Sequence, residues 1–241
     1  MTALTLLVAL TLSVMLQTAP ITRVDAARAV ERARYAFVIG ATKPFDEVYP
    51  RAVFERRVQR ELAEEQVLAD VFALRPSAAQ LADEYERIEK TTKAREQWEA
   101  IKQALANDRR LIEDVFCRPA LVSRTIRARF AFDSRIHNDT HQQARTARAA
   151  FLERASASGA VQLSLPRGST DREVASVLEA QLRRPGDVTT ILEHADRFDV
   201  YRLAAITTDT WKVDMVRVPK QEFDRWFETN RAAWDRAANR R

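Results

Sequence analysis

From Arg51 to about Arg154 apolar residues recur at three- and four-residue steps, and this periodicity constrains the fold more than any other feature of the chain. Phe54, Val58 and Leu62 open the series and Leu68, Val71 and Phe72 continue it, which predicts a helix over 51–72 ended by Arg75-Pro76. Ser77-Ala-Ala-Gln80 reads as a capping box: the Ser oxygen accepts a free backbone N–H while the Gln side chain reaches back. The helix it opens carries Leu81, Tyr85 and Ile88 on one side. After a break at Thr91-Thr92, a helix over about 94–106 aligns Trp98, Ile101 and Leu105, and Asn107-Asp108 caps the next segment. Leu111, Val115, Val122, Ile126 and Phe130 form one stripe, reinforced by Ile112 and Phe116. Pro119 lacks a donor and clashes with the preceding turn, so it should kink or break this helix. Phe132 to Thr140 reads as a loop and Gln142 to Arg154 as a helix. With 4 glycines in 241 residues, Gly-rich phosphate loops and a turn-dense all-β fold are disfavoured.

On the amino-terminal side, Asp25 to Val38 is a polar, Arg-rich lead-in, and Thr42 to Pro50 is loop-like between Pro44 and Pro50. The pattern changes after Gly159. Val161 to Leu165 alternates as a strand does, and Pro166-Arg-Gly168 turns the chain. Thr170-Asp-Arg-Glu173 is a second capping box, and its helix runs through Leu182 to a stop at Pro185-Gly186. Strand-like runs at 198–206 and 211–218 are separated at Thr207-Thr208-Asp209, a connection suited to a hairpin. Pro219 opens a last helix with Phe223, Trp226, Phe227 and Trp234 on one face. The expected fold is mostly α with a smaller α+β part. It divides into an amino-terminal segment 1–22, a helical domain 23–158, an α+β domain 159–218 and a carboxy-terminal helix 219–241.

No charged side chain precedes Arg23, and Ala3 to Leu16 is an almost continuous apolar run. It is short for a bilayer span, which needs about 20 residues, and suits the apolar stretch of a secretory signal, although no Lys or Arg precedes it. A cleaved signal, an uncleaved membrane anchor and an ordinary buried helix all fit. The first two place the protein in the periplasm or cell envelope, the second tied to the inner membrane. The single cysteine, Cys117, excludes an internal disulfide and a Cys-clustered zinc site. The net charge is +5, and six of the 39 basic residues are Lys. Because 34 acidic residues are interleaved with them, the charge reads as a salt-bridged helical surface. The doublets Arg56-Arg57, Arg109-Arg110, Arg183-Arg184 and Arg240-Arg241 are scattered and lack interleaved aromatics, which disfavours nucleic-acid binding.

Three segments, Arg51 to Lys90, Leu111 to Phe130 and Leu182 to Thr207, resemble the SurA-like, parvulin-type family of exported bacterial foldases. Arg51 to Lys90 (RAVFERRVQRELAEEQVLADVFALRPSAAQLADEYERIEK) and the helix Leu111 to Phe130 (LIEDVFCRPALVSRTIRARF) are similar to that family's chaperone module. Leu182 to Thr207 (LRRPGDVTTILEHADRFDVYRLAAIT) is similar to the end of its isomerase domain, with a Pro-Gly turn, an acidic cap and a closing strand. The resemblance implies a SurA-N-like helical module followed by a truncated parvulin-like antiparallel sheet. The departures are specific. Arg127 to Phe132 is the candidate opening strand, with Phe130 where the family has its first His. Asp199 stands where the closing strand has its second, and the family's Gly-Gly-x-Leu-Gly segment is missing. Rotating a prolyl bond requires an apolar pocket with placed polar groups. The expectation is therefore a reduced domain without efficient isomerase activity and with no catalytic residue to assign.

Among single residues, His137 and His141 are spaced as two ligands on a helix would be, but they lack a third partner and read as surface or capping residues. His194 reads as a solvated loop residue and Cys117 as a packed, inert thiol rather than one activated by Arg118. The aromatics at 98, 211, 226, 227 and 234 read as core. The expected activity is ATP-independent, chaperone-like binding of unfolded or extended envelope polypeptides. Phe54, Val58, Leu62, Val122 and Ile126 are the candidate peptide-binding surface. No nucleotide, cofactor or metal is called for, and the membrane is touched only through the amino-terminal segment. The alternatives are an active parvulin-type prolyl isomerase and a basic helical nucleic-acid-binding protein.

Overall fold

The computed structural model describes residues 21–167 and 172–238, apart from the side chains of 173 and 232–238. The apolar run at 3–16, the second capping box at 170–173 and the Trp234 side chain therefore lie outside what is described.

The chain begins with α1 (Arg23–Tyr35), capped by Thr22, whose hydroxyl accepts from the Asp25 N–H at 3.1 Å. The short α2 (Phe45–Val48) leads into α3 (Arg51–Phe72), which has the predicted bounds. Ala73, in the left-handed region at φ 53°, ends α3, and the Leu74 N–H donates back to Leu68 O at 3.1 Å. The capping box of α4 (Ala78–Thr91) is formed in both directions, Gln80 N–H to Ser77 Oγ at 3.2 Å and Ser77 N–H to Gln80 Oε1 at 2.9 Å. After α5 (Arg95–Ala104), Asp108 caps α6 (Arg109–Ile112). The break expected at Pro119 is a π-helical turn over Glu113–Cys117, where the Arg118 N–H reaches back to Glu113 O. The widened turn removes the need for the donor that Pro119 lacks, and α7 (Arg118–Ala131) continues the stripe. Next, α8 (Asn138–Leu152) starts four residues before the expected Gln142, because His137 serves as its N-cap position.

One expectation fails here. Arg127 to Phe132 is the last turn of α7 and its cap, not an opening strand. Its alternation of Arg with Ala and Phe mimics a strand, but Phe130 also lies four residues beyond Ile126, and burial against Phe223 and Trp226 decides for the helix.

The sheet comprises β1 (Val161–Pro166), β2 (Leu192–Glu193), β3 (Arg197–Ile206) and β4 (Thr210–Pro219), with α9 (Arg172–Gln181) between β1 and β2. All pairings are antiparallel in the order β1-β4-β3-β2, and a bulge at Ala204 shifts the β3–β4 register. One face, with Phe198, Val200, Val216 and Val218, packs on Ala144, Ala147 and Phe151 of α8. The other, with Tyr201, Leu203, Trp211, Val213 and Met215, packs on Leu178 of α9 and on Leu182. Covered on both sides, β3 is buried at five consecutive or near-consecutive positions and does not alternate.

The last helix, α10 (Phe223–Ala238), turns back to the amino-terminal half. Phe223, Trp226 and Phe227 join Val67 and Leu68 of α3 and Val122, Ile126 and Phe130 of α7 in one core. The hydrophobic clusters therefore cross the lines at 158 and 219: α8 seals the sheet and α10 seals the helices. Lys220 ties the two parts. Its buried ammonium donates to Ala131 O at 2.6 Å and to Glu193 Oε1 at 2.7 Å, beneath the Phe132 and Phe198 rings. Among the described residues no helix is long and apolar enough to cross a membrane.

Candidate functional site on the sheet

The candidate peptide-binding stripe is core. Phe54, Val58, Val122 and Ile126 are at most 7 % exposed and present no surface to a client. Of the five residues Leu62 alone is exposed, at 45 %. The reason is geometric: the stripe on α3 faces α1 and α2 through Phe54 and Val58, while that on α7 faces α3 and α10. Trp98, Trp211, Trp226 and Phe227 are likewise buried. Cys117 is fully buried, and burial pushes its thiol up to about 12, which leaves it an inert hydrophobe.

The histidines are not brought together as ligands. His137 is buried, with Nε2 2.9 Å from Phe130 O, and burial lowers its pKa. His141 stacks at a tilt on Phe198. Among the described residues no group of three or more His, Cys, Asp or Glu is arranged to hold a metal. His194, expected in solvent, is turned inward: its Nε2 is buried 3.6 Å from Asp199 Oδ2.

Asp199 is the centre of a polar constellation on the α9 face. It is fully buried on β3. Arg217 of β4 donates through Nε to Oδ1 at 2.9 Å and through Nη2 to Oδ2 at 3.0 Å, while Arg197 donates through Nε to Oδ2 at 3.0 Å. The register explains this convergence, since Asp199 pairs directly with Arg217 and Arg197 lies two residues away on the same face. Burial alone would raise the Asp199 carboxyl, but the two guanidinium groups outweigh it and hold the carboxyl below its ordinary range. The phenol of Tyr201 lies 3.4 Å from Oδ2, and burial, with the Asp199 charge, raises its pKa, so it stays a donor.

Beside this cluster is a cavity of about 180 Å³. Leu163, Leu165 and Pro166 of β1, Val174, Ala175 and Leu178 of α9, and Trp211 and Met215 of β4 supply its apolar wall. Arg197, Tyr201 and Arg217 close one end. This is well below the ~300–1,000 Å³ of sites that enclose a whole small molecule, and it has room for one aliphatic or prolyl side chain. Arg167 lies over the Trp211 ring at 5.2 Å. Sequence reasoning singled out Asp199 and Trp211 but did not join them to Leu163, Arg197 or Arg217. The available signal was the pairing of Phe198-Asp199 with Arg217-Val218 across the predicted hairpin.

A second apolar surface, missed in the sequence, is a shallow groove of about 790 Å³ between the ends of α3 and α7. Val71, Phe72, Leu74 and Phe132 line it, rimmed by Arg129 and Arg135, and Phe132 is 57 % exposed.

Compared with known proteins, the chain matches no family model, no curated sequence and no solved structure.

Proposed function

We propose that this protein binds extended polypeptide without nucleotide, as a chaperone-like member of the exported foldase class, and that the contact is made by the α9 face of the sheet rather than by the helical stripes. The observation that carries this reading is the residue-sized apolar cavity walled by β1, β4 and α9 and closed by Arg197, Tyr201 and Arg217. An apolar recess ending in backbone-competent donors suits a side chain and its flanking carbonyl. The segments similar to SurA-like proteins support the same class. In solution the purified chain should suppress aggregation of an unfolded client at near-stoichiometric ratio, and Ala175→Trp, which fills the cavity, should abolish that effect with the fold retained. A folded chain that leaves aggregation unchanged sinks the proposal.

A prolyl isomerase is the second reading, favoured by the position of His194 and Tyr201 about Asp199 beside a cavity of prolyl size. Against it stands Asp199 itself: an ionised carboxylate held by two arginines is fixed in place and has no proton to give. The expected outcome of a proline-limited refolding assay is no acceleration beyond background. Nucleic-acid binding is disfavoured because many arginines of the helical part are engaged with acids, as in Arg60 with Glu64, Asp224 and Glu228 and in Arg124 with Glu84.

A further inference from the structure

The charges around the cavity do not balance among the described residues. Arg197 and Arg217 line it and Arg167 covers its Trp211 wall, whereas Asp199 and Asp196 are the carboxylates these arginines touch. Arg217 uses Nε and Nη2 on Asp199 and also meets the Tyr201 phenol, and among the described residues its Nη1 donates to no carboxylate. Arg197 spends Nε on Asp199 and Nη1 on Asp196, which leaves Nη2. Among the described residues the Arg167 side chain donates to the Thr208 carbonyl, at 3.5 Å, and to no carboxylate. A guanidinium carries five N–H donors in a planar fork, so one carboxylate does not exhaust two of them. The Arg217 side chain is 49 % exposed although anchored, so its free edge is held at the mouth of the cavity rather than swinging in solvent. Anchoring matters because an immobilised fork binds a second carboxylate with less loss of rotamer entropy.

We infer that the site prefers a polypeptide segment in which the aliphatic or prolyl residue that enters the cavity is followed by a carboxylate, received by the free N–H edges of Arg197 and Arg217. This rests on the polypeptide-binding reading above and specifies its client. The carboxylate has two possible sources with the same chemistry, an Asp or Glu side chain within a chain or the terminal carboxylate of a chain end.

The test uses the full chain and three fluorescein-labelled peptides in a polarisation assay at low salt. The first is Ala-Ala-Leu-Pro-Glu-Ala-Ala amide, the second replaces Glu by Gln, and the third is Ala-Ala-Ala-Leu-Pro with a free carboxylate. The Glu peptide should bind at least about fivefold more tightly than the Gln peptide, a gap of about 1 kcal/mol. That gap should close at high salt. Tight binding of the third peptide would assign the preference to chain ends, and weak binding would assign it to internal acids. Arg217→Lys, which keeps the charge but not the fork, should narrow the Glu-to-Gln gap. Arg167→Gln, at a residue that lies over Trp211 outside the receiving pair, should leave the gap unchanged, and a gap lost there but kept in Arg217→Lys would overturn the assignment to Arg217. Equal binding of the Glu and Gln peptides with no tighter binding of the third, all lost in Ala175→Trp, would overturn the acid preference while leaving polypeptide binding in place. Absence of binding by all three would overturn both.

Discussion

At the scale of single residues, two buried ionisable groups have been placed in opposite electrostatic settings. Glu84, only 3 % exposed, accepts bidentate bonds from Arg87 and from Arg124, and those bonds hold its carboxyl at about 2 against an ordinary 4.5. A depressed carboxylate contributes stability that is complete above its unfolded pKa and is lost as the pH falls through the folded one. Glu84→Gln should therefore cost about 2 kcal/mol at pH 7, after allowance for the half-exposed arginines, and the difference from the parent should vanish between about pH 4.5 and pH 2. Urea titrations at both ends of that range measure it. Cys117, by contrast, meets no cation that offsets its burial. It should resist a thiol-specific reagent in the native chain and react within seconds once denaturant unfolds it, and rapid labelling without denaturant would refute its burial. The sequence placed this thiol correctly because its neighbours at 112 and 116 are apolar. It could not place His194, since the carboxylate that His194 faces belongs to the following strand.

At the scale of elements, what was legible depended on whether a signal was local. The bounds of α3, the capping box of α4 and the β3–β4 hairpin follow from residues within four positions of one another, and each forms as read. Ser77→Ala removes the acceptor for the Gln80 N–H and should cost about 1 kcal/mol, read as a lower midpoint of the whole transition on thermal melting. Gln80→Ala should cost less, because the Ser77 N–H it leaves is exposed and can be hydrated. The failed opening strand shows the limit. Over Arg127 to Phe132 two periods coexist, and only the partners across α10, some ninety residues later, select one of them. The same holds for the candidate site. A stripe of Phe54, Val58, Val122 and Ile126 reveals that something packs there, but not that α1, α2, α3 and α10 leave none of it open. The cavity under α9 draws on four elements separated in sequence, and no local pattern announces it.

At the scale of the whole molecule, the feature with most consequence is the return of α10. A helix that starts at the end of the sheet and packs its first turns against α3 and α7 makes the helical core depend on the sheet being folded. Lys220 strengthens that dependence, because its ammonium, taken out of water, is satisfied by the last turn of α7 and by β2 at once. A buried charge with both partners in place is tolerable, whereas either partner left without it is costly. Two consequences follow. The native chain should unfold in one cooperative step, with tryptophan fluorescence, which includes Trp211 in the sheet and Trp98 in the helices, superimposing on far-UV circular dichroism. Lys220→Met, which keeps the apolar stem beneath Phe132 and Phe198 but leaves Ala131 O without its donor and removes the link to Glu193, should lower stability by roughly 1–3 kcal/mol and separate the two probes. Phe227→Ala, at a fully buried position, should cost about 3–5 kcal/mol and expose the α3–α7 surface that the sequence pointed to as a client site. If that variant, still folded and combined with Ala175→Trp to fill the cavity, binds unfolded polypeptide where Ala175→Trp alone does not, the stripe is a surface that α10 covers. If it merely melts earlier, the stripe is packing and the sheet cavity stands as the contact.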